Sequence, residues 1–92
     1  MMETLLAMLK TDVGISASTT AYDTRLTQYL NAAKAEIIRE GATTISTTDP
    51  ADMQIIVMYA AWLFRGRDAM PGMPRMLRKA LNNRVLREKA GD

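Results

Sequence analysis

Apolar positions recur along the chain at three- and four-residue steps, interrupted by clusters of Gly, Pro, Ser and Thr. That period is the one-sided burial of a helix, whereas a half-buried strand alternates at every second residue. Leu5, Leu6 and Leu9 predict a short helix over about Glu3 to Lys10. Gly14 follows where a left-handed turn suits it, and Ile15 can tuck back onto the core. Tyr22, Leu26, Tyr29, Leu30, Ala33 and Ile37 then fall within an arc of about 100° on a helical wheel. Thr20 and Asp23 have capping-box spacing at the start of this second helix, and Gly41 stands at its end. Ile38 lies well off its main face.

The third helix opens at Asp49-Pro50, an N-cap followed by a proline in the first helical position. Asp52 sits at the positive end of the dipole. From Ile55 to Phe64 the run is apolar on every side, so the helix should be central and buried all round, Trp62 included. Ala60 and Ala61 would let a neighbouring backbone come close. Gly66, Pro71, Gly72 and Pro74 mark residues 65–74 as a loop, and Ser16–Thr20 and Thr43–Thr48 read as connections. The last helix starts at Pro74 and runs to about Lys89, with Met73, Met76, Leu77, Ala80 and Leu81 facing inward. The fold class is therefore all-α. It is a small bundle of three main helices plus a short N-terminal helix, one domain over 1–92, with a C-terminal helix extending from the core. The expected core is Leu26, Tyr29, Leu30, Ile37, Ile56, Ala60, Trp62, Leu77 and Leu81.

Beyond Asn82 the pattern of the last helix changes phase. Arg84 and Arg87 fall in the sector that Met73, Met76, Leu77, Ala80 and Leu81 occupy, and Val85 and Leu86 fall on the formerly polar side. An unpaired arginine is costly to bury. The helix is thus expected to outrun its domain after about Asn82, or to bend there. Its tail would offer Val85 and Leu86 as an apolar contact, with Arg84, Arg87 and Lys89 for acidic groups of a partner. On this reading, removing residues 83–92 leaves the bundle folded.

Composition narrows the chemistry. The 92 residues include no Cys and no His, which excludes disulfides, a thiolate nucleophile, an imidazole base and a Cys/His zinc site. The N-terminal apolar run is short and led by Glu3, unlike a signal peptide, and Ile55–Phe64 is too short to span a bilayer. Net charge is +2 but unevenly spread. Residues 1–64 hold four basic and seven acidic side chains, a balance of −3, and residues 65–92 hold eight and three, a balance of +5. Such a bipolar chain can bind anions at one end or meet its own copy head to tail.

No catalytic constellation stands out. Asp49 and Asp52 are explained by helix capping. Asp12 and Asp23 flank a Thr-rich loop but lack the ligand spacing of a calcium loop. The glycines form no phosphate-binding loop, and no Ser sits in a nucleophile elbow. No enzyme activity, cofactor or metal is expected. The basic C-terminal helix could bind nucleic acid, although the long, proline-containing turn before it suits a helix-turn-helix poorly. A small helical DNA-binding regulatory protein is the alternative reading of this composition.

The order of features resembles the head–tail connector, or adaptor, proteins of tailed bacteriophages. The resemblance rests on Leu9-Lys10-Thr11-Asp12-Val13-Gly14-Ile15, on Asp23-x-x-Leu26-x-x-Tyr29-Leu30-x-x-Ala33-x-x-x-Ile37, and on the apolar helix from Pro50 to Phe64. It ends with Met73-Pro74-x-x-Leu77 leading a helix that contains Asn83-Arg84. Arg65-Gly66-Arg67 departs from a simple helical exit. The resemblance implies a structural virion protein that forms a ring under the portal, dodecameric when assembled. Such a ring extends the DNA channel and gives a platform to a head-closure (stopper) or tail protein. It implies portal docking through the C-terminal segment, about 74–92, with Arg84, Val85, Leu86, Arg87 and Lys89 as the docking residues. Contact with DNA would be non-specific at most, and no membrane is involved. The protein would lie at the head–tail interface of the virion, and in the host cytoplasm during assembly. Ile38, Met70 and Met73 are the expected subunit-interface residues, as apolar side chains that the core cannot use.

Overall fold

Glycines and prolines divide the chain into four helices in the computed structural model, which describes residues 2–66 and 72–91: α1 (Met2–Val13), α2 (Asp23–Glu40), α3 (Pro50–Arg65) and α4 (Arg75–Gly91). No strand occurs among the described residues. The fold is a small all-α bundle with a short N-terminal helix and a C-terminal one.

Helix ends are set by local hydrogen bonding. At Gly14, φ is +80°. The Ile15 N–H donates to Lys10 O at 2.8 Å and the Gly14 N–H to Thr11 O at 3.4 Å. Gly41, at φ +124°, repeats the arrangement, its N–H donating to Ile38 O (3.1 Å) while the Ala42 N–H donates to Ile37 O (3.3 Å). These paired bonds satisfy carbonyls that a helix end otherwise leaves open, and the positive φ is why glycine stands there. At the start of α3, Asp49 Oδ2 accepts from the Asp52 N–H at 3.0 Å, with Pro50 in the first turn.

α3 lies in the middle and packs against the other three helices. Leu5 and Leu9, Leu26, Leu30, Ala33 and Ile37, Ile56, Val57, Ala60 and Ala61, and Leu77 and Leu81 bury the four apolar faces together. Burial of each Leu or Ile contributes about 1.5–3 kcal/mol relative to an exposed one.

Several expectations are corrected. α1 is longer than Glu3–Lys10, because the helix runs on until the glycine turn at Gly14 stops it. The N-cap of α2 is Tyr22, without a side-chain cap. The Thr20 carbonyl, not its hydroxyl, meets the Asp23 N–H. The Asp23 carboxylate instead lies 2.7 Å from the ammonium of Lys10, which also donates to Thr19 O at 2.8 Å. Lys10 is 5 % exposed, its stem on the core and its head pinning the 14–22 connection. α3 is not buried all round. The molecule is flattened, 42 × 30 × 17 Å, and three neighbours in that shape do not encircle a helix. Met58, Trp62, Leu63 and Phe64 are consequently only half-buried. Tyr29 and Trp62 sit at the edge of the core, edge-on to Phe64 (6.1 Å) and Tyr59 (5.6 Å) respectively. Met76 points out and is 77 % exposed, because the buried stripe of α4 is centred on Leu77 and Leu81.

Candidate functional site

The C-terminal helix does not leave the domain after Asn82. Leu77, Leu81, Arg84 and Glu88 continue one stripe of α4, spaced four, three and four residues apart, and that stripe faces the rest of the molecule. Arg84 is 7 % exposed and meets the carboxylate of Asp52, itself 3 % exposed. Arg84 Nε donates to Asp52 Oδ1 at 2.8 Å and Nη2 to Oδ2 at 3.3 Å, a two-pronged pairing. Nη2 also donates to Thr44 Oγ1 (3.1 Å) and Nη1 to Glu88 Oε1 (3.3 Å). The Ser46 N–H donates to Asp52 Oδ2 at 3.0 Å. The pKa of Arg84 is raised by its hydrogen bond to Asp52, against burial, which lowers it, and with the fields of Asp52 and Glu88 adding to the rise.

Glu88 closes the clasp on the far side of the 41–49 connection. One carboxylate oxygen accepts from the N–H (3.0 Å) and hydroxyl (2.6 Å) of Thr43, the other from the N–H (2.9 Å) and hydroxyl (2.7 Å) of Thr44. Donation from the Thr43 hydroxyl first, then from the Thr44 N–H and hydroxyl, holds the carboxyl down at about 2 from its ordinary 4.5. Next to it, Val85 packs on the core and abuts the end of α2. A Cβ built on Gly41 would stand 3.1 Å from Val85 Cγ1. A further pair, Arg78 with Glu40 at 2.9 Å, joins α4 to α2.

These contacts correct the expected docking set. Arg84 is a buried, paired group and Val85 a packing contact, so neither lies free for a partner. The phase change in α4 reflects polar residues continuing the buried stripe onto a matching acid, not a helix leaving its domain. The +5 excess after residue 64 is also partly internal, because Arg84, Arg78 and Arg65 have Asp52, Glu40 and Asp12 as partners. Leu86 (63 % exposed), Arg87, which reaches Asp52 only at 3.5 Å, and Lys89 remain on the surface. Of the expected interface residues, Ile38 is 38 % exposed, Met73 is half-buried against the core, and Met70 lies outside the described residues.

The carboxylates weighed for chemistry have structural neighbours: Asp49 caps α3, Asp23 pairs with Lys10, and Asp12 stands 3.9 Å from Arg65, which donates to the Asp12 backbone carbonyl at 2.9 Å. Among the described residues no group of three or more acidic side chains is placed to hold a metal ion. None of the described helices is long and apolar enough to cross a membrane. A hollow of about 410 Å³ between α1 and α3, lined by Met8, Thr11, Asp12, Gln54 and Val57, opens to solvent. Comparison with family models, with curated proteins and with solved structures gave no match.

Proposed function

We propose that the protein is a structural subunit of a tailed-phage virion, a head–tail connector that assembles as a dodecameric ring on the portal. The ring continues the DNA channel and presents a platform to a head-closure or tail protein, at the head–tail interface of the virion. The reading comes from the ordered sequence features that resemble such connectors. The structural observation that supports it is apolar surface left outside the core: Ile38 on α2, and Met76 and Leu86 on α4. A ring subunit buries such side chains on its neighbours and on the portal through head-to-tail contacts. Within the C-terminal segment, Leu86, Arg87 and Lys89 are the portal-docking residues, with Leu86 the apolar anchor and the two cations its rim. The protein acts here by assembly, not by catalysis.

Co-sedimentation of the chain with its cognate portal protein tests this reading. Stoichiometric attachment that Leu86→Glu weakens supports it. No attachment, combined with a tight footprint on one duplex sequence, establishes the alternative of a DNA-binding regulator.

A further inference from the structure

With the ion pairs assigned, the charge left on the first half of α4 is all of one sign. Arg78 and Arg84 turn to Glu40 and Asp52. Arg75 and Lys79 are exposed and have no ion-pair partner among the described residues. On a helical wheel they lie about 40° apart and opposite Leu77 and Leu81. Asn82 and Asn83 flank them and are exposed as well. Asn82 Oδ1 accepts from Arg78 Nη1 at 3.5 Å, which leaves its amide nitrogen as a donor. The only acidic residue of α4, Glu88, is folded inward onto Thr43 and Thr44. Arg39 and Arg65, by contrast, stand beside acids, Glu36 and Asp12 respectively.

We propose that this face, Arg75, Lys79, Asn82 and Asn83, binds the phosphate backbone of duplex DNA without reading its sequence. The proposal rests on the connector reading and deepens it, naming the part of the subunit turned toward the DNA path. The four residues span about 12 Å of helix, enough to reach successive phosphates, which rise by about 3.4 Å along each strand. Arg, Lys and Asn are donors that commonly hold phosphates, and such contacts carry no base information. A protein partner is the poorer fit. Interfaces between proteins centre on apolar or aromatic side chains and are depleted in lysine, whereas between residues 75 and 83 this face has Met76 alone, at its margin; Leu86, on the same side one turn further on, belongs to the portal-docking end.

The test is an amide-resonance titration of the isolated chain with a short mixed-sequence duplex at low salt, followed by affinity against salt concentration. Shifts should be confined to residues 75–83, and the logarithmic salt slope should be near −2, the value for about two neutralised phosphates. Lys79→Glu should weaken binding about tenfold, while Lys34→Glu, the same change of net charge on α2, leaves most of it. Absence of shifts, equal loss in both variants, or salt-resistant preference for one sequence overturns the proposal. Portal attachment is measured on the same variants. If Lys79→Glu abolishes attachment and spares DNA binding, the face belongs to a protein and the proposal fails. If the wild-type chain binds DNA in this way but never attaches to the portal, the connector reading fails and the DNA contact stands.

Discussion

Arg84 Nε stands 2.8 Å from Oδ1 of Asp52, a residue 32 positions earlier in the chain, and neither side chain is more than 7 % exposed. The pair ties the fourth helix to the first turn of the third. Through Ser46 and Thr44 it also ties both to the connection between α2 and α3. Two desolvated charges are tolerable here because each is met by further hydrogen bonds.

Removing one member should therefore be severe. Asp52→Ala leaves the guanidinium of Arg84 without its main acceptor and should lower stability to urea by about 3–5 kcal/mol, a large share of the about 5–15 kcal/mol expected for a small domain. Asp52→Leu combined with Arg84→Met should recover most of the loss. For the same reason, truncation after Asn82 should unfold or strongly destabilise the domain, contrary to the reading of the sequence alone. A loss below about 1 kcal/mol for Asp52→Ala would show the pair to be no better than a surface one.

Glu88 makes stability depend on pH in a defined window. Its carboxyl is held at about 2 in the folded chain against an ordinary 4.5, by the hydroxyls and N–H groups of Thr43 and Thr44. As pH falls from about 5 the unfolded chain takes up this proton first, so stability drops until pH nears 2, where both forms are protonated. Above pH 5 the contribution is complete. Urea midpoints of Glu88→Gln should lie below those of the wild type at neutral pH and converge on them toward pH 2. A constant difference across the window would remove Glu88 as the cause.

Gly41 should resist substitution for two separable reasons. Its φ of +124° is one that side-chain-bearing residues rarely adopt, and a Cβ there would stand 3.1 Å from Val85 Cγ1. Gly41→Ala should cost about 1–3 kcal/mol from the backbone alone. In a Val85→Ala background the contact part of the penalty should vanish and the backbone part remain, as a double-mutant cycle in urea would reveal. Equal penalties in both backgrounds would mean that the Val85 contact carries none of the cost.

Surface variants separate folding from assembly. Ile38→Glu on α2 should leave the helical circular dichroism signal and the urea midpoint within about 0.5 kcal/mol of wild type, while weakening association of the subunit with its own copies. If Ile38→Glu unfolds the chain, Ile38 belongs to the core and the interface assignment is lost.

The all-α fold was legible because four amphipathic stripes and their glycine and proline ends are local signals. Gly41 and Asp49 stand where local rules put them. What escaped was a pairing between distant segments. Asp52 reads as an ordinary first-turn acid, and nothing local shows that it is buried. Arg84 in an apolar sector looked like a residue that had to leave, yet its spacing from Leu77 and Leu81, and that of Glu88 from Arg84, marked a continued stripe. The missing signal was a buried acid opposite it, which only the packing of α4 on α3 reveals. Met76 is hydrophobic and adjoins Leu77, yet it stands at the margin of the stripe centred on Leu77 and Leu81 and so points to solvent. Nothing local marks Lys10 as buried, because its reach to Asp23 and Thr19 depends on where the 14–22 connection folds.

The most direct test of the central proposal is to mix the chain with its cognate portal and image the product by electron cryo-microscopy. The predicted result is a dodecameric ring of this protein coaxial with the portal, with Leu86, Arg87 and Lys89 against it and Ile38 between neighbouring subunits. A portal that stays bare at saturating protein, with the chain remaining monomeric in the same mixture, would contradict it.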